Sequence, residues 1–201
     1  MDYSLITHRL PENIAVNGRT YKLDTRTMKA LQAYAVMAED DETIPEEVKL
    51  SKVIALMLDA PSSFLLAKNP EDTAKVYAKI ADFLNGWPEE PRKPGKHKAE
   101  EIFSYSEDHA LIVAAFRQAY GVSLEELREM HWWEFRALIA GIPEDTTLSR
   151  IMGIRSMEID PKEPPKIKTA KREAKEAAAL KRKGGRAKTG EEILSDAFAG
   201  L

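Results

Sequence analysis

Apolar positions along the chain recur mostly at helical spacing, with one early exception. Asn13-Ile-Ala-Val and Arg19-Thr-Tyr-Lys-Leu23 flank Asn17-Gly18, the dipeptide that supplies the two positive-φ positions of a type I′ turn, so two short strands are predicted there. Asp24-Thr25 then reads as the cap of a helix carrying Met28, Leu31, Ala35 and Met37, which runs into a solvated acidic turn at Glu39 to Glu42. Pro45 opens a second helix whose apolar positions, Val48, Val53, Ile54, Leu56, Met57 and Leu58, become nearly continuous, as a central helix requires. Asn69-Pro70-Glu71-Asp72 joins an N-cap, a first-turn proline and two acids suited to the helix dipole, and leads to Val76, Tyr77, Ile80, Phe83 and Leu84 before Asn85-Gly86. The proline- and charge-rich stretch 87–98 reads as a loop or hinge.

The second half is helical throughout. A helix is expected from Ser106 as cap to Tyr120, with Leu111, Ile112, Ala115, Phe116, Ala119 and Tyr120 on one side and Gly121 as its stop. Ser123-Leu-Glu-Glu126 has the spacing of a capping box and opens a helix bearing Trp132 and Trp133. On a wheel of 100° per residue, Leu124, Leu127, His131, Phe135, Leu138, Ile139 and Ile142 share one arc with Trp132 at its edge. Trp133 projects away from that arc, towards Ala137 and Ala140. Core packing is expected of Trp132. Trp133 either closes the packing against the N-terminal part or anchors a partner, since the flanking alanines leave room for a second helix. Gly141-Ile-Pro143 ends this helix, and Glu144 to about Met157 forms a shorter one.

Beyond Asp160 the pattern disappears: prolines at 161, 164 and 165 precede a run to Lys183 rich in Ala, Lys, Arg and Glu, with almost no large apolar residue. A helix of that composition is marginal by itself. The small apolar cluster Ile193, Leu194, Phe198 and Leu201 follows a basic spacer and looks like a short binding motif. Charge divides the same way. Residues 1–160 carry 19 Lys and Arg against 27 Asp and Glu, residues 161–190 carry 11 against 3, and the last eleven residues add three acids. The reading is a mainly α chain: a helical domain over 1–160 with a short N-terminal β-hairpin, then a basic, partly disordered C-terminal arm over 161–201.

Composition narrows the chemistry. Hydrophobic residues make up 43% of the 201, enough for a core. No apolar run is long enough to span a bilayer, and the N-terminus lacks the layout of a signal peptide, so no membrane partner and a cytoplasmic location are expected. With no cysteine, disulfides, thiolate catalysis and Cys-based zinc sites are excluded. His8, His97, His109 and His131 show no metal-binding spacing, no phosphate loop or nucleophile elbow is present, and neither cofactor nor enzymatic activity is expected. His131 reads as a half-buried, hydrogen-bonded side chain rather than a base. The basic arm invites a nucleic-acid reading, but no aromatic residues lie between its cations to stack bases, and the acidic body repels phosphates.

The residues Phe116, Tyr120, Gly121, His131, Trp132, Trp133, Phe135 and Arg136, set in AFRQAYGVSL, HWWEFRALI and IMGIR, resemble the bacteriophage "gene product fifteen" family of phages of Gram-positive hosts. The similarity is clearest from Phe103 to about Arg155 and, in layout, covers about three quarters of the chain. It implies a tail assembly chaperone of siphophages or prophages, acting in the host bacterial cytoplasm, that coats the tape measure protein until the tail tube polymerises around it. The family implies no catalytic residue. Partner-binding positions are then expected at Trp133, Ala137 and Ala140, at Lys171, Arg172 and Lys175 of the basic run, and at Ile193, Leu194 and Phe198. The tail tube protein and further copies of the chain are possible additional partners. Two other readings stay open: a nucleic-acid-binding phage protein using the arm, and a tail or neck component retained in the virion.

Overall fold

The computed structural model describes residues 9–39, 43–58, 70–86 and 102–181. Among them are a two-stranded hairpin and eight helices, so the protein is mainly α-helical with an N-terminal hairpin. The stretches 40–42 and 87–98 and the apolar cluster at 193–201 lie outside the described residues. The described residues gather into two units, one drawn from residues up to 86 together with 125–137, the other from residues 102–124 and 138–181. The division expected at residue 160 was drawn from composition, whereas these units follow packing.

In the first unit, strands β1 (Asn13–Val16) and β2 (Arg19–Lys22) pair antiparallel with Ile14 opposite Tyr21 and Val16 opposite Arg19. Asn17 and Gly18, at φ 50° and 75°, make the turn that their sequence predicts. Ile14 and Val16 are buried while Asn13 and Ala15 are exposed, the alternation of a strand with one face on a core. Helices α1 (Thr27–Met37), α2 (Glu46–Met57) and α3 (Pro70–Asn85) complete that core with Val53, Ile54, Met57, Val76, Ile80 and Leu84. Asp24 and Thr25 do not cap α1, as their sequence suggested. The helix starts two residues later, with Arg26 at the cap position and no side-chain cap bond, because the Asp24 carboxylate is taken up by Arg26 Nε at 2.8 Å and Nη2 at 2.6 Å.

The expected single helix through Trp132 is two: α5 (Leu124–Glu129) and α6 (Trp132–Ala140). The chain leaves the helix at Met130 and His131 to pair with the segment ahead of α1. Thr27 N–H donates to the Met130 carbonyl at 2.8 Å and Trp132 N–H to the Thr25 carbonyl at 2.7 Å, around an isolated bridge between Arg26 and His131. These long-range bonds replace helical ones that the local sequence would otherwise form.

The second unit contains α4 (His109–Tyr120), α7 (Thr147–Ser156) and α8 (Pro165–Ala178). Helix α4 begins three residues after Ser106, with Asp108 at its cap position, and stops at Gly121, whose φ of 69° is the left-handed conformation of a helix end. Thr146 caps α7 by accepting from Ser149 N–H at 3.2 Å. Ile112, Ala115, Phe116 and Leu148 are buried in this unit. The basic run at 165–178 is a helix, although none of its side chains is fully buried. Its attachment is polar: Arg155 Nε donates to the Ala178 carbonyl at 2.6 Å, Lys175 Nζ to the Met157 carbonyl at 3.2 Å, and Lys181 N–H to Glu107 Oε2 at 2.7 Å.

Candidate functional site

The segment His131 to Arg136 that singles out the sequence converges on the last turn of α3. The final four carbonyls of a helix have no partner within it. Here Trp132 Nε1 donates to the Leu84 carbonyl at 2.7 Å, Trp133 Nε1 to the Phe83 carbonyl at 2.9 Å, and Arg136 Nη1 to the Asn85 carbonyl. Tyr34 adds its hydroxyl to Leu84 O at 2.8 Å. Three successive carbonyls are thus closed by side chains of α6. Gly86 ends α3 at φ 78°, directly beneath the Arg136 guanidinium.

The rings pack as closely as their N–H groups bond. Trp132 stacks on Phe135 with centroids 5.3 Å apart and planes 17° from parallel, and Trp133 stacks on Phe83 at 5.9 Å and 19°. Trp133 does lie on the other side of α6 from Phe135 and Ile139, all three within one unbroken helix, but that side is covered as well, by Phe83 at the end of α3. Trp133 is only 8% exposed and Trp132 is fully buried. Of the two sequence readings of Trp133, closure of the packing is the one its position in this structure fulfils.

His131 sits at the cap of α6. Its Nδ1 accepts from Trp133 N–H at 3.1 Å, so the neutral ring carries its proton on Nε2, 3.3 Å from the Pro11 carbonyl. Burial pushes this imidazole below its ordinary value, against the opposing effects of Pro11 O, Glu134 and Glu12. A half-buried, hydrogen-bonded histidine was the sequence reading, and this geometry matches it.

Ala137 and Ala140 lie on the exposed side of α6. On α8, Lys171 is engaged with Glu163 and Lys175 with the Met157 carbonyl, while Arg172 is exposed. Ile167 on the same helix is 47% exposed. Ile193, Leu194 and Phe198 lie outside the described residues. Sequence reasoning missed the ion pair of Asp108 and Arg155, in which Nη1 meets Oδ2 at 2.7 Å and Nη2 meets Oδ1 at 2.9 Å. Burial would raise the Asp108 carboxyl, but the bonds from Arg155 and the Ser104 N–H outweigh it and hold the group below its ordinary value. Arg155 also donates to the Ile102 carbonyl at 3.1 Å, so one guanidinium ties the start of α4 to the ends of α7 and α8. Forty-seven residues separate the two partners, and no local pattern announces the pair.

Among the described residues, no group of three or more acidic or histidine side chains is placed to hold a metal ion. No described helix is long and apolar enough to cross a membrane. The sequence matches the family described as Bacteriophage Gp15 protein over residues 6–180. Neither a curated protein nor a solved structure matches the chain.

Proposed function

The chain belongs to the bacteriophage Gp15 protein family, and from that premise we propose that it is a tail assembly chaperone that binds the tape measure protein during siphophage morphogenesis in the host cytoplasm. The observation that carries this reading is the family match across residues 6–180. The geometry supports it in one respect: the most distinctive residues of the chain are spent on joining helices. His131, Trp132, Trp133 and Arg136 direct their polar atoms to backbone groups of neighbouring elements, so they stabilise a helical scaffold rather than face a substrate. A long helical client is then met by outward helix faces, on α6 at Ala137 and Ala140 and on α8 at Ile167 and Arg172.

Trp133 acts in this scheme by fixing α6 so that Ala137 and Ala140 face outward. Introducing charge there tests the assignment. Ala137→Glu with Ala140→Glu is expected to leave a folded protein that no longer retains tape measure segments in an affinity pull-down, while a glutamate at exposed Gln118 on α4 leaves capture unchanged. Retention by the double variant at wild-type level would remove α6 from the interface. Recovery of the chain in purified virions would instead support a retained structural component.

A further inference from the structure

Helix α8 buries none of its side chains, whereas α4 buries Ile112, Ala115 and Phe116 and α7 buries Leu148. Its half-buried positions, Lys168, Lys171, Ala174, Lys175 and Ala178, fall on one face, and three of those five are lysines. Each lysine reaches back to the segment that joins α7 to α8. Lys168 Nζ donates to the Pro161 carbonyl at 3.2 Å, Lys171 Nζ to the Glu158 carbonyl at 3.4 Å and to Glu163, and Lys175 Nζ to the Met157 carbonyl at 3.2 Å. Glu163 offsets part of that gain, since its Oε2 is buried without a hydrogen bond. The turn before the helix is closed by Asp160, whose side chain accepts from Lys162 N–H at 2.8 Å and whose carbonyl accepts from Glu163 N–H at 3.1 Å, so it does not depend on α8. At the far end Arg155 donates to the Ala178 carbonyl, but its two bonds to Asp108 and its bond to the Ile102 carbonyl involve no atom of α8. The core of the unit is therefore complete without this helix.

We propose that α8 is a strap that detaches from α7 as one piece while the rest of the protein stays folded. A 14-residue helix of this composition is marginal without support, so it unwinds as it leaves. Opening uncovers the side of α7 on which α8 packs, and frees Lys168, Lys171 and Lys175 from the carbonyls of Pro161, Glu158 and Met157. Both surfaces are withheld in the closed form. The device holds whether or not the tape measure is the client.

Amide hydrogen exchange of the full-length protein tests this. Local opening makes the amides of Thr169 to Ala178 exchange at least about a hundredfold faster than those of Ile112 to Phe116 in α4, and leaves them nearly indifferent to urea below the unfolding transition, since little surface is exposed. Amides of α8 as protected as those of α4 overturn the proposal, and so does a common response to urea. Lys168→Ala with Lys175→Ala removes two of the bonds while favouring the helix itself, and is expected to speed exchange in α8 by about a further tenfold with α4 unchanged. Lys166→Ala, on the exposed side, is expected to leave both helices as they were. Acceleration of α4 in step with α8, no acceleration by the double variant, or equal acceleration by Lys166→Ala each overturns the strap.

Discussion

Trp133 donates its indole N–H to the carbonyl of Phe83 at 2.9 Å while its ring stacks on the Phe83 ring, so one residue closes both the polar and the apolar surface at the end of α3. Its neighbour Trp132 does the same for Leu84 with Phe135 as its stacking partner. Trp133→Phe keeps most of the ring and strips the indole donor from the buried Phe83 carbonyl, which is expected to cost about 1–3 kcal/mol in urea unfolding, and Trp132→Phe is expected to cost less because the Leu84 carbonyl keeps the Tyr34 hydroxyl. Alanine at either position is expected to cost about 3–5 kcal/mol. A Trp133→Ala protein as stable as the parent would contradict this placement.

Gly86 and Gly121 provide an internal comparison. Both adopt the left-handed conformation, but an added Cβ at Gly121 meets open space, whereas at Gly86 it collides with the Arg136 guanidinium. Gly121→Ala should therefore cost only the backbone penalty of roughly 1–2 kcal/mol, and Gly86→Ala that penalty plus about 0.5–1.5 kcal/mol in the same unfolding assay, because the flexible Arg136 guanidinium swings aside and gives up its bond to the Asn85 carbonyl.

His131 makes stability depend on pH. Its folded-state value lies below the ordinary 6.5, so between the two the unfolded chain binds more protons and stability rises with pH. The contribution is fully present above about 6.5 and is lost as pH falls through the folded value. His131→Asn, whose side-chain oxygen also accepts at a helix cap, is expected to flatten the urea midpoint between neutral and mildly acid pH. An unchanged slope would show that other groups set it.

Arg155 and Asp108 form a pair whose side chains are 10% and 3% exposed. Removing one partner with Arg155→Met leaves a buried carboxylate uncompensated, at an expected cost of about 3–5 kcal/mol, more than replacing both partners together. Because Arg155 also holds the Ala178 carbonyl, deletion of residues 161–201 is expected to lower the thermal midpoint of what remains. An unchanged midpoint after deletion would return the arm to the independent status its composition suggested.

Where the fold was legible, local chemistry decided it. The Asn17-Gly18 turn, the Gly86 and Gly121 helix stops and the helix opened by Pro45 follow from what those residues do to a backbone. The interruption at Met130 and His131 was not legible, since its cause is pairing with Thr25 to Thr27, more than a hundred residues away. It displaces the angles of Leu124 and Leu127 against Phe135, whereas Trp133 keeps its angle within α6; which of its two readings, packing or partner, applies depends on Phe83, fifty residues away, and no helical wheel shows that contact. The ordered helix at 165–178 was hidden for a related reason: its attachment runs through Arg155, Lys175 and Lys181 to backbone and carboxylate oxygens, and apolar periodicity carries no trace of such bonds.

The proposed role is that of a chaperone for the tape measure protein. Co-expression of the full-length protein with the tape measure protein of the same phage, followed by affinity purification and mass measurement, tests it most directly. The expected result is a soluble complex with several copies of the chain per tape measure molecule, and a tape measure that is insoluble when expressed alone. A tape measure whose solubility is unaffected, with nucleic acid recovered on the affinity resin in its place, would contradict it.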